Sequence, residues 1–133
     1  MLAEIGRGGQ AYVKEAIDLQ SHQHVAIKIY KKSKMTLDDL NAAHAENQIT
    51  KNLESSSLLR RIGFFEDTQY LCIIFELMQL NLRRLLSREN LTKDVLEEAN
   101  ICRMFHQMVH AVSACHAKAV IHCDVKLENF LVR

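Results

Sequence analysis

At 133 residues, with 48% apolar and 25% charged side chains, the chain has room for one ordinary domain with a buried core and a soluble surface. Its 17 basic and 16 acidic residues are interspersed and leave a net charge of +1, which excludes the basic footprint that nucleic acid or an anionic membrane requires. Apolar runs such as residues 70–77 are too short to cross a bilayer, and the N-terminus lacks the basic, apolar and small-residue order of a secretory leader, so a cytoplasmic or nuclear address is expected.

In chain order, residues 3–5 and 11–19 read as strands around the glycine-rich segment "GRGGQAYV", and residues 24–30 alternate cleanly through Val25, Ile27 and Ile29. The piece after the glycines is ambiguous, because Tyr12, Val13, Ala16 and Ile17 also form a helical stripe. Residues 36–54 are expected to be helical, with Thr36 at the N-cap, Asp39 three residues on, and a stripe of Leu40, Ala43, Asn47 and Thr50 too poor in large apolar groups for more than partial burial. Residues 60–65 and 69–77 read as two strands joined by a polar turn, the second apolar enough to be central or covered on both faces. A short helix follows at 82–87. A long one spans 94–118, capped by Asp94 and striped by Ile101, Phe105, Met108, Val112 and Cys115. The change from strands to helices sets a boundary near Met78, giving a first part of residues 1–77 and a second of 78–133.

Cys72, Cys102, Cys115 and Cys123 have no paired spacing, so they are read as small buried hydrophobes in a reducing compartment rather than as zinc ligands or disulfides. His106 and His110 stand four apart on the long helix, a spacing that suits metal ligands. No carboxylate completes the set, and surface histidines are the better reading.

The glycine segment alone decides little. Gly6-x-Gly8-x-x-Ala11 fits a dinucleotide fingerprint that tolerates alanine, and it nearly fits the loop Gly-x-Gly-x-x-Gly-x-Val that covers nucleotide phosphates, with Val13 in register. Small residues serve both, since side chains would keep backbone N–H groups away from phosphate oxygens. A dinucleotide site also wants an acid at the end of the second strand, where this chain has Lys31 and Lys32.

Three further motifs bear on the choice: Val-Ala-Ile-Lys at Val25 to Lys28, Glu46 in the following helix, and "HCDVKLENFLV" from His122 to Val132. In this order and spacing they resemble the signatures of the eukaryotic-type protein kinase domain, serine/threonine branch. The resemblance implies an α+β fold: a small lobe with an antiparallel five-stranded sheet and one helix, then the beginning of a helical large lobe. It also implies ATP and Mg2+ as cofactors, a protein Ser/Thr hydroxyl as substrate, and no nucleic acid or membrane partner.

By the same resemblance, Ile5, Gly6, Arg7, Gly8 and Gly9 belong to the flap over the nucleotide, and Lys28, paired with Glu46, places its ammonium on the α and β phosphates. Val13, Ala26 and Leu131 would sandwich the purine, Phe75 would narrow the back of the pocket, and the backbone of Glu76 and Met78 would meet the adenine edge. Asp124 would take the substrate proton, Lys126 would neutralise the transferring phosphoryl, and Asn129 would offer an amide oxygen to the metal. Lysine at 126 is what the serine/threonine branch carries.

The pattern departs at several places. Cys123 stands where the family has an arginine that clamps a phosphorylated loop, Leu127 where it has proline, and Ala11 where it has a third glycine. Thr50 and Arg61 occupy positions that the family usually fills with large apolar groups, which questions either this register or the tightness of the packing; a loosely held helix would weaken the Lys28–Glu46 pair. The chain stops just beyond the catalytic loop, so the expectation is a kinase fragment. The alternative is a catalytically inactive, pseudokinase-like or truncated interaction module.

Overall fold

The computed structural model describes residues 3–53, 55–87 and 97–132. Two compact units appear. The first holds β1 (Glu4–Arg7), β2 (Ala11–Ile17), β3 (His24–Lys31), α1 (Leu37–Asn52), β4 (Arg61–Glu66) and β5 (Tyr70–Glu76). The second holds Ser55–Leu58, β6 (Leu80–Asn81), α2 (Leu82–Leu86), α3 (Glu98–His116) and β7 (Leu131–Val132).

In the first unit all neighbouring strands are antiparallel, in the order β1-β2-β3-β5-β4. The segment after the glycines is therefore a strand, and the strand–loop–helix order of a dinucleotide site is absent. β2 ends at Ile17, two residues earlier than expected, because the Asp18 carboxylate turns the chain by accepting from the Gln20 and Ser21 amides at 3.2 and 3.3 Å.

Register fixes which side chains share a face. Val13 pairs with Lys28 and Lys28 with Ile73, so Ala26, Lys28 and Tyr30 of β3 lie on the same side as Leu71, Ile73 and Phe75 of β5. Helix α1 covers that side: Ala43 packs with Tyr30, Leu71, Ile73 and Phe75, and Leu71 and Ile73 are fully buried. As expected of so apolar a strand, β5 is central, flanked by β3 and β4, while its other side, with Cys72 and Ile74, is half-buried.

Helix α1 begins as its sequence demands. Asp39 N–H donates to the Thr36 hydroxyl at 3.2 Å, and the Asp39 carboxylate accepts from Thr36 N–H at 2.9 Å, a reciprocal capping box. The two polar residues expected to loosen the helix are both bonded. Arg61 Nε donates to the Asn47 side-chain oxygen at 2.8 Å, and the Thr50 hydroxyl turns back to the Glu46 carbonyl at 2.7 Å.

In the second unit β6 and β7 form a two-residue ladder, Leu80 against Val132 and Asn81 against Leu131, too short to announce itself by periodicity. Asn81 then caps α2 by accepting from Arg84 N–H at 2.9 Å. The long helix starts at Glu98 with Glu97 at its N-cap; Asp94, the expected cap, lies outside the described residues. Its stripe is also divided. Cys115 is buried and Met108 and Val112 half-buried, whereas Ile101 and Phe105 are 45% and 65% exposed, because among the described residues no element packs over that side. His110 points a ring nitrogen at the Ser57 hydroxyl, 2.8 Å away, and among the described residues no cluster of three or more metal-ligating side chains exists.

All four cysteines are free thiols, but only Cys115 is buried. Cys102 and Cys123 are exposed, one on the outer side of α3 and one in an irregular loop, against the expectation for both. Among the described residues, no helix is long and apolar enough to cross a membrane.

Candidate functional site

One candidate site is a pocket of about 270 Å3 in the first unit, lying between the β1–β2 turn, β3 and α1. The turn closes through Gly8 N–H donating to the Ala11 carbonyl at 2.8 Å. No glycine here has a positive φ, and a Cβ at Gly9 would meet nothing within 4 Å. The backbone conformation therefore does not require glycine, and what its absence of side chain achieves is a bare main chain beside the pocket. At the tip, the Gln10 amide donates to the Asp39 carboxylate and ties the turn to the first turn of α1.

Lys28 and Glu46 form the pocket's charged wall. Lys28 Nζ stands 2.7 Å from each Glu46 carboxylate oxygen, with both side chains 32% exposed. Pleat geometry sends Lys28 toward α1, and Glu46 sits on the helix face that carries buried Ala43 one turn earlier. The pair forms despite the polar substitutions at 50 and 61, because those groups bond to α1 instead of leaving it loose. Tyr30 completes the wall by donating its hydroxyl to Glu46 Oε2 at 2.5 Å, and its ring lies 5.2 Å from Lys28 Nζ. Burial, followed by the hydrogen bond and charge of Glu46, pushes the Tyr30 phenol far above its ordinary value.

Of the residues singled out from sequence, Gly8, Gly9, Lys28 and Glu46 line this pocket. Val13 and Ala26 are half-buried on the same sheet face as Lys28. Gly6 faces the Val13 side chain, while exposed Arg7 is engaged with Glu4 at 2.7 Å and Ile5 is 43% exposed. Phe75 is 7% exposed and packed in the core under α1. Glu76 ends β5, its N–H donating to the Arg60 carbonyl at 3.1 Å and its carboxylate accepting from Arg60 N–H at 2.9 Å. Sequence reasoning missed Tyr30, Gln10 and Ala42 as pocket residues. Tyr30 carried a usable signal, since two residues along a strand from Lys28 means the same face.

A separate cluster of polar side chains lies in the second unit. Asp124 follows Cys123, whose φ of 61° is left-handed and costly for a residue with a Cβ. Lys126 Nζ meets Asp124 Oδ2 at 2.7 Å, and the Asn129 amide nitrogen donates to the Asp124 carbonyl at 2.7 Å and to Oδ2 at 2.9 Å. These two donors, Lys126 first, hold the Asp124 carboxyl below the usual range, and the carboxylate raises Lys126 in return. Arg83 of α2 steadies the loop through Glu128 at 2.7 Å. Asn129 turns its amide nitrogen to Asp124, and carboxylate and amide oxygens are the ligand type a hard divalent cation takes. Half-buried Met78 and Leu131, 42% exposed on β7, also lie in this unit.

Across residues 1–133 the chain matches the family described as protein kinase domain. It belongs to that family. Relatives include a "Probable serine/threonine-protein kinase KIN1 homolog" of Enterocytozoon bieneusi, 30% identical over 99% of this chain and 22% of that protein. Dual specificity tyrosine-phosphorylation-regulated kinase 2 of Drosophila melanogaster is 32% identical over 100% and 19%, and cyclin-dependent kinase 1 of Encephalitozoon cuniculi is 28% identical over 98% and 44%. The chain thus spans less than half the length of each. The five-stranded sheet with α1 is the protein kinase small-lobe architecture, and the family as a whole uses ATP with a divalent metal.

Proposed function

We propose that the protein carrying this chain is a serine/threonine protein kinase that transfers the γ-phosphoryl of Mg-ATP to a protein hydroxyl. The observation that carries this reading is the Lys28–Glu46 clasp beside a glycine turn, a fixed positive charge next to bare backbone N–H groups. Lys28 would contact the α and β phosphates beneath the main chain of residues 6–9. Val13 and Ala26 would offer an apolar surface to the purine, and the backbone of Glu76 and Met78 would meet its polar edge. In the second unit, Asp124 would orient the substrate hydroxyl and accept its proton as the new O–P bond forms and the bond to the leaving ADP oxygen breaks. Lys126 would offset charge on the moving phosphoryl. Asn129 and Asp124 supply oxygens of the kind a magnesium ion takes, and magnesium when bound neutralises phosphate charge. Lysine at position 126 favours serine and threonine over tyrosine. One relative's printed name includes dual specificity, so a panel of Ser, Thr and Tyr peptides belongs in the assay.

Calorimetric titration of the chain with Mg-ATP tests the pocket. Lys28→Ala is expected to weaken binding at least about tenfold, the scale of a lost charged hydrogen bond. Equal binding would overturn the role of Lys28. In the whole protein, Asp124→Ala should abolish phosphate transfer, and undiminished transfer would refute the part given to Asp124.

A second reading, a kinase-like module that engages partners without transferring phosphate, draws on Cys123, which removes the cation that clamps a phosphorylated loop. The same assay separates the two. The module shows no transfer even before Asp124 is changed.

A further inference from the structure

Glu46 is held from two directions. Lys28 reaches both carboxylate oxygens, and the Tyr30 hydroxyl takes one of them at 2.5 Å. The two partners leave β3 two residues apart on one face, so both arrive from a common rigid strand. They differ in freedom. Lys28 is a long flexible chain, 32% exposed, and an ion pair between two such chains contributes little when each keeps its rotamers. Tyr30 is 4% exposed and wedged with Ala43, Leu71, Ile73 and Phe75, so its hydroxyl is fixed in space before Glu46 arrives. Phenylalanine would fill the same core volume. Only the hydroxyl reaches the carboxylate, so the hydroxyl does something the core does not need.

We propose that Tyr30 is a positioning residue for the Lys28–Glu46 pair: its phenolic hydroxyl pins the Glu46 carboxylate in the orientation that grips Lys28, while its ring borders the ammonium. This rests on the nucleotide reading only for its consequence, a lysine held ready for phosphate; the pinning itself is independent of any ligand. A fixed donor lowers the ordering cost of two flexible side chains, and a cation beside the ring gains a further attraction. The raised phenol fits the same geometry, since the neutral hydroxyl is the form that donates.

The test is Tyr30→Phe in the full 133-residue chain, which keeps the ring and removes the donor. Without nucleotide, the Lys28 side-chain ammonium protons, followed by nitrogen-edited NMR, are expected to exchange with water faster than in the unaltered chain. With Mg-ATP, the dissociation constant should rise about threefold to tenfold, the range of a lost hydrogen bond to a charged group. In a Glu46→Ala background, which removes the acceptor, Tyr30→Phe should add nothing, which a merely structural role would not predict. Unchanged ammonium exchange, or an undiminished effect in the Glu46→Ala background, overturns the proposal. Should the unaltered chain bind no Mg-ATP while its ammonium signal still depends on Tyr30, the nucleotide reading fails and the pinning stands. If Tyr30→Phe unfolds, the same spectra are taken in trimethylamine N-oxide, which favours the compact state.

Discussion

Arg61 and Asn47 join strand β4 to helix α1 by a 2.8 Å hydrogen bond in which the asparagine is only 5% exposed. A polar contact thus stands where the protein kinase family usually packs apolar groups. Its energetics are asymmetric, because a buried partner left alone keeps its desolvation cost. Asn47→Ala and Arg61→Ala are each expected to destabilise the chain by about 1–3 kcal/mol, whereas Asn47→Leu with Arg61→Met should recover most of the loss. Urea denaturation of these proteins and of the Asn47→Ala/Arg61→Ala double variant checks this, and strict additivity of the two alanine changes would show that the residues act separately.

That contact also marks where sequence reading fell short. Thr50 and Arg61 put either the register or the packing of α1 in question, because polar residues in apolar positions predict looseness unless their partners are known. The partners lie 14 residues apart for Arg61 and one helical turn back for Thr50, and pattern alone cannot pair them. The features legible from pattern are local or periodic, the Thr36–Asp39 box and the alternation of β3, while the Lys28–Glu46 pair was legible only through the family resemblance. For Tyr30 the spacing from Lys28 gives the face, but the partner of its hydroxyl carries no sequence signal, since an aromatic residue in a strand reads as core. The Ile101–Phe105 side of α3 illustrates a further limit, as periodicity names an apolar side without naming what covers it.

Tyr30 should behave abnormally in alkali. Its folded-state value lies far above the ordinary phenol near 10, so the neutral form favours folding; the stability this supplies is complete below pH 10 and is lost as pH rises toward the folded value. Absorbance at 295 nm, compared between the unaltered chain and Tyr30→Phe, should therefore show no ionisation of Tyr30 at pH 10 to 11 until the protein unfolds. A phenol titrating near 10 in the folded chain would contradict its burial against Glu46.

Asp124 offers the reverse case. Hydrogen bonds from Lys126 and then Asn129 hold its carboxyl below the usual range near 3.8. A depressed value means that the loop's order is supported above that range and lost as pH falls through the folded value. Carbon-13 NMR of the carboxyl should show the low value, and Lys126→Met should move it upward, by more than Asn129→Ala does. An Asp124 signal titrating normally in the unaltered chain would mean that the 2.7 Å contact with Lys126 is not kept in solution.

Helix α1 depends on its first turn. Thr36→Ala removes the hydroxyl that accepts from Asp39 N–H and is expected to cost about 1 kcal/mol. Thr36→Ser, which keeps the hydroxyl, should restore most of it. Because Glu46 rides on this helix, the Ala variant should also speed exchange of the Lys28 ammonium protons, linking an N-cap to a charge pair ten residues away. Thermal melting and the same ammonium NMR measure both effects, and a normal Lys28 signal in a destabilised Ala variant would show that the pair is held by the sheet alone.

On α3, Ile101, Phe105 and Val109 follow each other at four-residue intervals and are 45%, 65% and 51% exposed, so one side of the helix is an exposed apolar stripe. Water in contact with such a stripe favours anything that removes it, and self-association of the chain at raised concentration is the direct consequence. Phe105→Glu, which breaks the middle of the stripe, is expected to reduce binding of an apolar fluorescent dye and to shift sedimentation toward the monomer. Folding stability should change by no more than about 0.5 kcal/mol, as for other exposed sites. A large loss of stability would mean that Phe105 is packed in solution and that the stripe is covered.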